Sequence, residues 1–455
     1  MDIRDLYECY DKYLDKEIIV CGWIRKHRKQ KEIGFIELSD GTCLKKLQIV
    51  YDATTKDFEE IQKIHFGSSI KVTGIVAKTQ IGDEVELRAK LIQVIGDCPE
   101  DYPIQPKAHT REFLREQAYL RPRTSLYTAV FRIRSIAAMA VHQYFTSHGF
   151  LYLQAPIFTA SDCEGAGEMF QITTQDLDKI AESGKVDYAK DFFKKKVSLS
   201  VSTQLEAETF AQAFKKVYTF GPTFRADPSN TPYHAAEFWQ IEPEVAFCDL
   251  DGIMDIAEEM LRFVIGYVLE YAKTELEFLD QTVEEGLIAK LTKTMKSEFK
   301  RVTYKECIDI LKRSDRAWEY TPEYGADIAK EHEKYLTEYF DCPIFITMWP
   351  KELKSFYMKQ MDDGTVAGAD FELPGIGETF GMSQREEDYD KLVTRMKEIG
   401  MKIEEYDWYL DLRKYGTCER SGFGVGFERL LMYLTGMKNI RDVIAYPRTE
   451  GSCKF

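Results

Sequence analysis

At 455 residues the chain exceeds one ordinary hydrophobic core and calls for two or three domains, while 44% hydrophobic and 30% charged residues exclude a disordered chain. No apolar run approaches bilayer length, and the opening MDIRDLYECYDKY has neither a basic nor an apolar leader region, from which a cytoplasmic protein is expected. The net charge of −15 opposes phosphate binding, yet the first 98 residues hold 16 basic and 17 acidic side chains and carry the dense basic cluster Arg25-Lys26-His27-Arg28-Lys29-Gln30-Lys31, so an RNA contact is expected to start there.

From Glu17 to about Gly96, β-rich runs alternate with turn residues: EIIVCGWIRK, GFIELSDG, LKKLQIVYD, SIKVTGIVAK and EVELRAKLIQVIG. Asp40-Gly41 is a hairpin signal between two of them. Five short strands in this span suit an OB-type β-barrel, a common binder of single strands, although composition alone does not separate it from an SH3-like barrel. Residues 1–98 are expected to form this domain. Pro99, Pro103 and Pro106 mark a linker, expected over residues 99–120.

Beyond it, Val130, Ile133, Ala137, Val141 and Tyr144 recur at helical spacing, which predicts a helix over 125–148 closed by Gly149. Strands are expected at 150–158, 197–202, 217–225 and 236–248, a second long helix at 250–272, then a mixed region, strands near 366–371 and 376–384, and a helix from about Gly426. Strands interspersed with helices without regular βαβ alternation predict an α+β domain on an antiparallel sheet flanked by helices, residues 121–455. The ten cysteines are scattered singly, with no C-x-x-C pair and no suitably spaced histidine, which fits free thiols in a reducing compartment rather than disulfides or structural zinc.

Three ordered stretches carry the chemistry. SLYTAVFRIRSIAAMAVHQYFTSHGFLYLQAPIF, with Pro156, resembles motif 1 of the class II aminoacyl-tRNA synthetases, the dimer-interface element; FGPTFRADPSNTPYHAAEFWQIEPE resembles motif 2; GFGVGFERLLMYL resembles motif 3. IFTASDCEGAGEMF, AEFWQIEPEVAF, PGIGETFGMSQREE and NIRDVIAYPRT narrow the resemblance to the asparaginyl-tRNA synthetases, and GWIRKHRKQKEIGFIELSDGTCLKKLQIV resembles that family's anticodon-binding barrel, so nearly the whole chain is covered.

The resemblance implies ATP-dependent activation of asparagine, with Mg²⁺, followed by transfer to tRNA by a homodimer. Joining a carboxylate to the α-phosphate brings two anions together, which calls for fixed positive charge and metal rather than a side-chain nucleophile. Arg225 is expected on the α-phosphate and substrate carboxylate, because a guanidinium binds both bidentately. Arg429 is expected against adenine and the γ-phosphate, Phe238 on the other adenine face, and Asp227 and His234 in the ATP site. Asp370 and Glu378 match the acidic residues that hold Mg²⁺. Glu164 and Gln204 match the positions that hold the α-ammonium, and Arg385 the arginine that grips the substrate side-chain carbonyl. In the barrel, Phe35 and Gln48 match positions that stack on and hydrogen-bond an anticodon base, with Arg25 nearby for phosphate. Taken singly, each residue has a plainer reading: a surface ion pair for either arginine, core for Phe238 and Phe35, a turn for Glu164, a solvated charge for Arg385, an edge polar group for Gln48.

The sequence departs from the family pattern near the expected pocket. Asp227 stands for a glutamate, Tyr233 for an arginine before His234, Thr203 and Met382 for glycines, and Arg420-Ser421 for His-Ala, with Met348-Trp349 unusual before Pro350. Thr203 is expected to narrow the pocket wall. These changes leave open a paralogue that activates another amino acid or uses an acceptor other than tRNA; a non-catalytic RNA-binding module is opposed by Arg225, Arg429, Glu378 and Gln204.

Overall fold

The computed structural model describes residues 1–79, 85–164, 168–229 and 231–455, so Glu84 of the last expected barrel run, Gly165, Ala166 and Gly167 of the stretch 157–170, and Asn230 of the motif 2 loop lie outside the described residues. The chain divides into two compact units, Met1–Phe131 and Arg132–Phe455.

In the first unit the strands β1 (Glu17–Lys29), β2 (Ile33–Ser39), β3 (Leu47–Asp52), β4 (Ser69–Lys78) and β5 (Val85–Gly96) close into a barrel in the order β1-β2-β3-β5-β4. Alternation writes this structure directly: along β1 as far as Ile24 and along β2 every second residue is buried, so Val20, Ile24, Ile36 and Leu38 fill the interior. A short helix, Ile3–Glu8, unforeseen in the sequence, adds Ile3 and Leu6 to that core. Residues 99–120 do not run free: Tyr102, Ile104 and Leu114 form a small core with Cys98, Tyr127 and Phe66.

The second unit is built on an eight-stranded sheet plus a small three-stranded one. Its strands are β6 (Leu151–Tyr152), β7 (Phe158–Thr159), β8 (Gln171–Ile172), β9 (Val197–Leu199), β10 (Lys216–Phe224), β11 (Glu237–Ala246), β12 (Lys300–Thr303), β13 (Ile344–Pro350), β14 (Thr365–Leu373), β15 (Gly377–Gln384) and β16 (Arg420–Gly426). The large sheet runs β12-β13-β14-β15-β16-β11-β10-β6, antiparallel from β13 to β10, with β12 and β6 added in parallel at the two edges. The helix Ser125–Ser147 forms as its apolar period predicts, and Gly149 stops it at φ +77°, a conformation glycine takes without strain. The helix Leu250–Tyr271 starts at Asp249, whose side chain accepts the Gly252 N–H, and lays Met254, Leu261 and Val268 into the core. Among the described residues no helix is long and apolar enough to cross a membrane.

Candidate active site

A cleft of about 400 Å³ opens on one face of the large sheet. The hairpin β10–β11 supplies its floor: because side chains alternate on a strand, Phe238, Gln240, Glu242 and Glu244 all face the cleft. Beside them β16 contributes glycines where the floor must approach side chains closely. A Cβ on Gly422 would stand 2.1 Å from Glu244 Oε1, and one on Gly424 2.6 Å from Gln240 Nε2, so the G-x-G spacing leaves room for both.

At one end, Arg225 follows β10 and its Nη2 lies 2.5 Å from Glu164 Oε1, with its guanidinium 5.6 Å from the centre of the Phe238 ring. Its Nε is buried without a hydrogen-bond partner among the described residues, an unsatisfied donor suited to an anionic oxygen. Burial pushes the Glu164 carboxyl up from its ordinary range, against the pull of Arg225. Arg429, on the helix Phe427–Thr435 that β16 enters, donates from Nη1 to the Glu378 carbonyl at 2.9 Å. Asp227, Tyr233 and His234 line the same end. His234 is lowered by burial first and then by the field of Arg429, and its Nδ1 lies 3.1 Å from Ser229 Oγ.

Asp370 on β14 and Glu378 on β15 both line the cleft. Lys354 Nζ sits 2.5 Å from Asp370 Oδ2 and 3.9 Å from the centre of the Trp349 ring, and burial raises the Asp370 carboxyl although Lys354 opposes it. Among the described residues no group of three or more His, Cys, Asp or Glu forms a ready metal cage. One or two carboxylates completed by phosphate oxygens and water is the donor set Mg²⁺ prefers, and Glu378 with Asp370 fits it.

At the other end, Arg385 donates through Nε and Nη2 to the two oxygens of Glu244, and through Nη1 to Ser383 Oγ at 2.6 Å, with Tyr357 under its guanidinium at 5.3 Å. Gln204 Nε2 is engaged by Glu208 Oε1 at 3.1 Å. Glu208 is fully buried; burial alone would raise it, but Arg420, Arg413 and Arg385 outweigh that cost and hold the carboxylate below its ordinary range. This cage fixes both Gln204 and Arg385.

The expected cleft residues Glu164, Gln204, Arg225, Asp227, His234, Phe238, Asp370, Glu378, Arg385 and Arg429 therefore meet in one cavity. Of the departures from the family pattern, Asp227, Tyr233 and Met382 line it. Thr203 does not narrow the wall as expected: its backbone N–H and hydroxyl both donate to Glu242 Oε2, at 3.0 and 2.5 Å, so the added hydroxyl serves to anchor a carboxylate. Arg420 belongs to the Glu208 cage, and Ser421 donates to the Cys248 carbonyl. Glu242, Glu244, Lys354 and Tyr357 escaped the sequence reading; the signal for the first two was the alternation after Phe238 in FWQIEPE.

On the barrel, Phe35 faces outward, neither core nor fully exposed, with Arg28 5.3 Å from its ring centre. Gln48 donates to Glu86 at 3.1 Å and accepts from Arg28 at 3.5 Å. Arg25 is turned away from this cluster: its guanidinium is largely buried, and Tyr102 and Arg123 act on it. A bulge between Ile24 and Lys26 shifts the register by one, so Arg28 rather than His27 stands opposite Phe35.

Comparison with known proteins is decisive at the family level. The description "tRNA synthetases class II (D, K and N)" matches residues 110–450, and "OB-fold nucleic acid binding domain" matches residues 18–95. The chain belongs to the class II tRNA synthetases. This class II synthetase is 51% identical to the asparagine–tRNA ligase of Acholeplasma laidlawii over all of both chains, and 51% identical to that of Clostridium tetani over 100% of this chain and 99% of the relative. Among solved structures it resembles asparaginyl-tRNA synthetase from Pyrococcus horikoshii complexed with asparaginyl-adenylate, at 31% identity, TM-score 0.86 and 98% coverage of each chain, and the Entamoeba histolytica asparaginyl-tRNA synthetase in complex with asparaginyl-adenylate, at 25%, 0.83 and 97%. The OB match and the closed barrel resolve the alternative of an SH3-like barrel.

Proposed function

We propose that this synthetase activates asparagine with ATP to asparaginyl-adenylate and pyrophosphate, and then transfers the acyl group to tRNA. The observation that carries the amino acid is the Glu244–Arg385 pair at the cleft end. A carboxamide is both donor and acceptor: its NH₂ meets Glu244 and its carbonyl meets Arg385, whereas the carboxylate of aspartate would face Glu244 with like charge. Glu164 and the Gln204 carbonyl take the α-ammonium, and Arg225 bridges the substrate carboxylate and the α-phosphate, turning from Glu164 or sharing it. Phe238 and Arg429 hold adenine between them, with Asp227 and His234 along the phosphates.

Glu378 and Asp370 would hold Mg²⁺, which when bound neutralises charge on the phosphates. In the reaction a carboxylate oxygen bonds to the α-phosphorus, the bond to the bridging oxygen of the β-phosphate breaks, and the electron pair leaves on pyrophosphate. Arg225 meets the charge that gathers on the α-phosphate oxygens.

The outer barrel face with Phe35, Arg28 and Gln48 serves an anticodon base, the aromatic by stacking and the amide by its edge, while Arg25 serves the phosphate backbone from the other side of β1. The second unit forms a homodimer through the motif 1 helix and β6, and all ten cysteines are free thiols, as a reducing cytoplasm favours. ATP–pyrophosphate exchange across an amino acid panel tests the reading: exchange with asparagine, followed by charging of tRNA, is expected, and exchange with a different amino acid overturns it.

A further inference from the structure

The cleft poses a charge problem for its own substrate. Its lining holds eight carboxylates against four lysine or arginine side chains, yet it must accept a triphosphate. Three of those cations already face a carboxylate: Arg225 faces Glu164, Lys354 faces Asp370, and Arg385 faces Glu244. Among the described residues Arg429 instead donates to a carbonyl, that of Glu378. The loop after β10 offers Asp227, Tyr233 and His234 to the phosphate end and, beyond Arg225, no lysine or arginine, and burial, with the field of Arg429 next, lowers His234 from its ordinary value.

Positive charge is stored just behind the rim. Lys330 opens the helix Lys330–Phe340, and its Nζ lies 2.9 and 2.6 Å from the two oxygens of Glu333 with about half of the side chain exposed. The ammonium stands at the residue before Glu378: a Cβ built on Gly377 would be 3.0 Å from it, and Gly377 adopts φ +88°, so a side chain there is excluded on both counts. Glu333 Oε2 also accepts the Glu378 N–H at 3.1 Å. Lys330 and Arg429 thus approach Glu378 through Gly377 and through its carbonyl, and the field of Lys330 reaches His234 across the rim.

We propose that Lys330 swings from Glu333 to bind the γ-phosphate end of ATP and the departing pyrophosphate, supplying the cation that the loop after β10 lacks. The proposal rests on the ATP-dependent reading of this cleft. The lysine is half-exposed on a flexible four-carbon stem, whereas Glu333 is buried and keeps the Glu378 N–H when the ammonium leaves, so the charge of the phosphates has to offset the loss of the ion pair. When the α-phosphorus to bridging-oxygen bond breaks, the electron pair collects on the pyrophosphate, where an ammonium stabilises it; no proton needs to move.

The test compares the wild type with Lys330→Ala and Lys330→Arg in asparagine-dependent exchange, with MgATP binding measured separately by calorimetry without amino acid. Lys330→Ala is expected to raise the KM values for ATP and pyrophosphate about tenfold and to weaken MgATP binding in parallel, with the KM for asparagine unchanged, and Lys330→Arg to stay within about threefold of wild type. Unchanged ATP and pyrophosphate constants beside a lowered melting temperature would make Lys330 only a helix-start ion pair and overturn the proposal. If the wild type gives no exchange with asparagine, calorimetry still decides: weaker MgATP binding in Lys330→Ala upholds Lys330 while the asparagine reading falls, and equal binding overturns Lys330.

Discussion

At the scale of single residues, the cleft separates into contacts made for phosphate and contacts made for the amino acid, and substitutions should split along that line. Arg225→Ala removes the guanidinium whose buried Nε awaits an anion. Its loss should cost about 3 kcal/mol of transition-state stabilisation, roughly a hundredfold in kcat/KM. Exchange within a factor of three of wild type would remove Arg225 from the α-phosphate. Gly422→Ala acts on the other end: the new Cβ collides with the Glu244 carboxylate, the end of a side chain that can move, so Glu244 is displaced from Arg385 while the backbone is spared. The expected result is a KM for asparagine raised about tenfold, weaker discrimination against aspartate, and an unchanged KM for ATP. Equal rises in both KM values would show a general collapse of the floor instead.

At the scale of elements, sequence legibility followed periodicity and failed where geometry departs from it. The barrel strands and the helices Ser125–Ser147 and Leu250–Tyr271 were readable because their apolar periods run over most of their length, in β1 as far as Ile24. β12 and β13 were lost in a mixed region: β13 is buried on both faces, so IFITMWP has no alternation to read. Glu244 was missed because a buried carboxylate makes sense only beside Arg385, 141 residues away. The bulge in β1 redirects the basic cluster in the same unreadable way, placing Arg28 by Phe35 and turning His27 inward. His27 Nε2 lies 2.6 Å from the Tyr51 hydroxyl and its Nδ1 3.1 Å from the Ile64 carbonyl. Since that carbonyl only accepts, Nδ1 carries the proton and Nε2 accepts from Tyr51. Burial lowers the ring to about 4 from its ordinary 6.5. A histidine depressed by folding stabilises the barrel fully above its unfolded pKa, and that contribution is lost as pH falls from about 6.5 toward 4. The first unit should therefore melt at a lower temperature at pH 5 than at pH 7, and His27→Gln should flatten the difference. A slope that survives the substitution would assign it to other groups.

At the scale of the whole molecule, the question is what covers the apolar residues left at the edge of the large sheet. Among the described residues β6 is the terminal strand of the sheet, paired with β10 on one side, and an edge strand with exposed hydrophobic side chains invites association. Leu151 and Tyr152 are exposed there, as are Ile157 and Phe158 just beyond, and Met139 on the helix Ser125–Ser147 is 58% exposed. All belong to the stretch that resembles motif 1, so the proposed homodimer would cover this apolar excess with a second copy of the chain. A dimer burying this strip should sediment as one species at micromolar concentration and melt at a temperature that rises with protein concentration. Met139→Asp combined with Leu151→Asp places two charges at half-exposed positions of the strip, so the folded monomer should lose only about 1 kcal/mol. Sedimentation of the double variant is expected to give a monomer with native far-ultraviolet circular dichroism and a melting temperature independent of concentration. A wild type that sediments as a monomer throughout the micromolar range, or a double variant that stays dimeric, would move the interface elsewhere on the molecule.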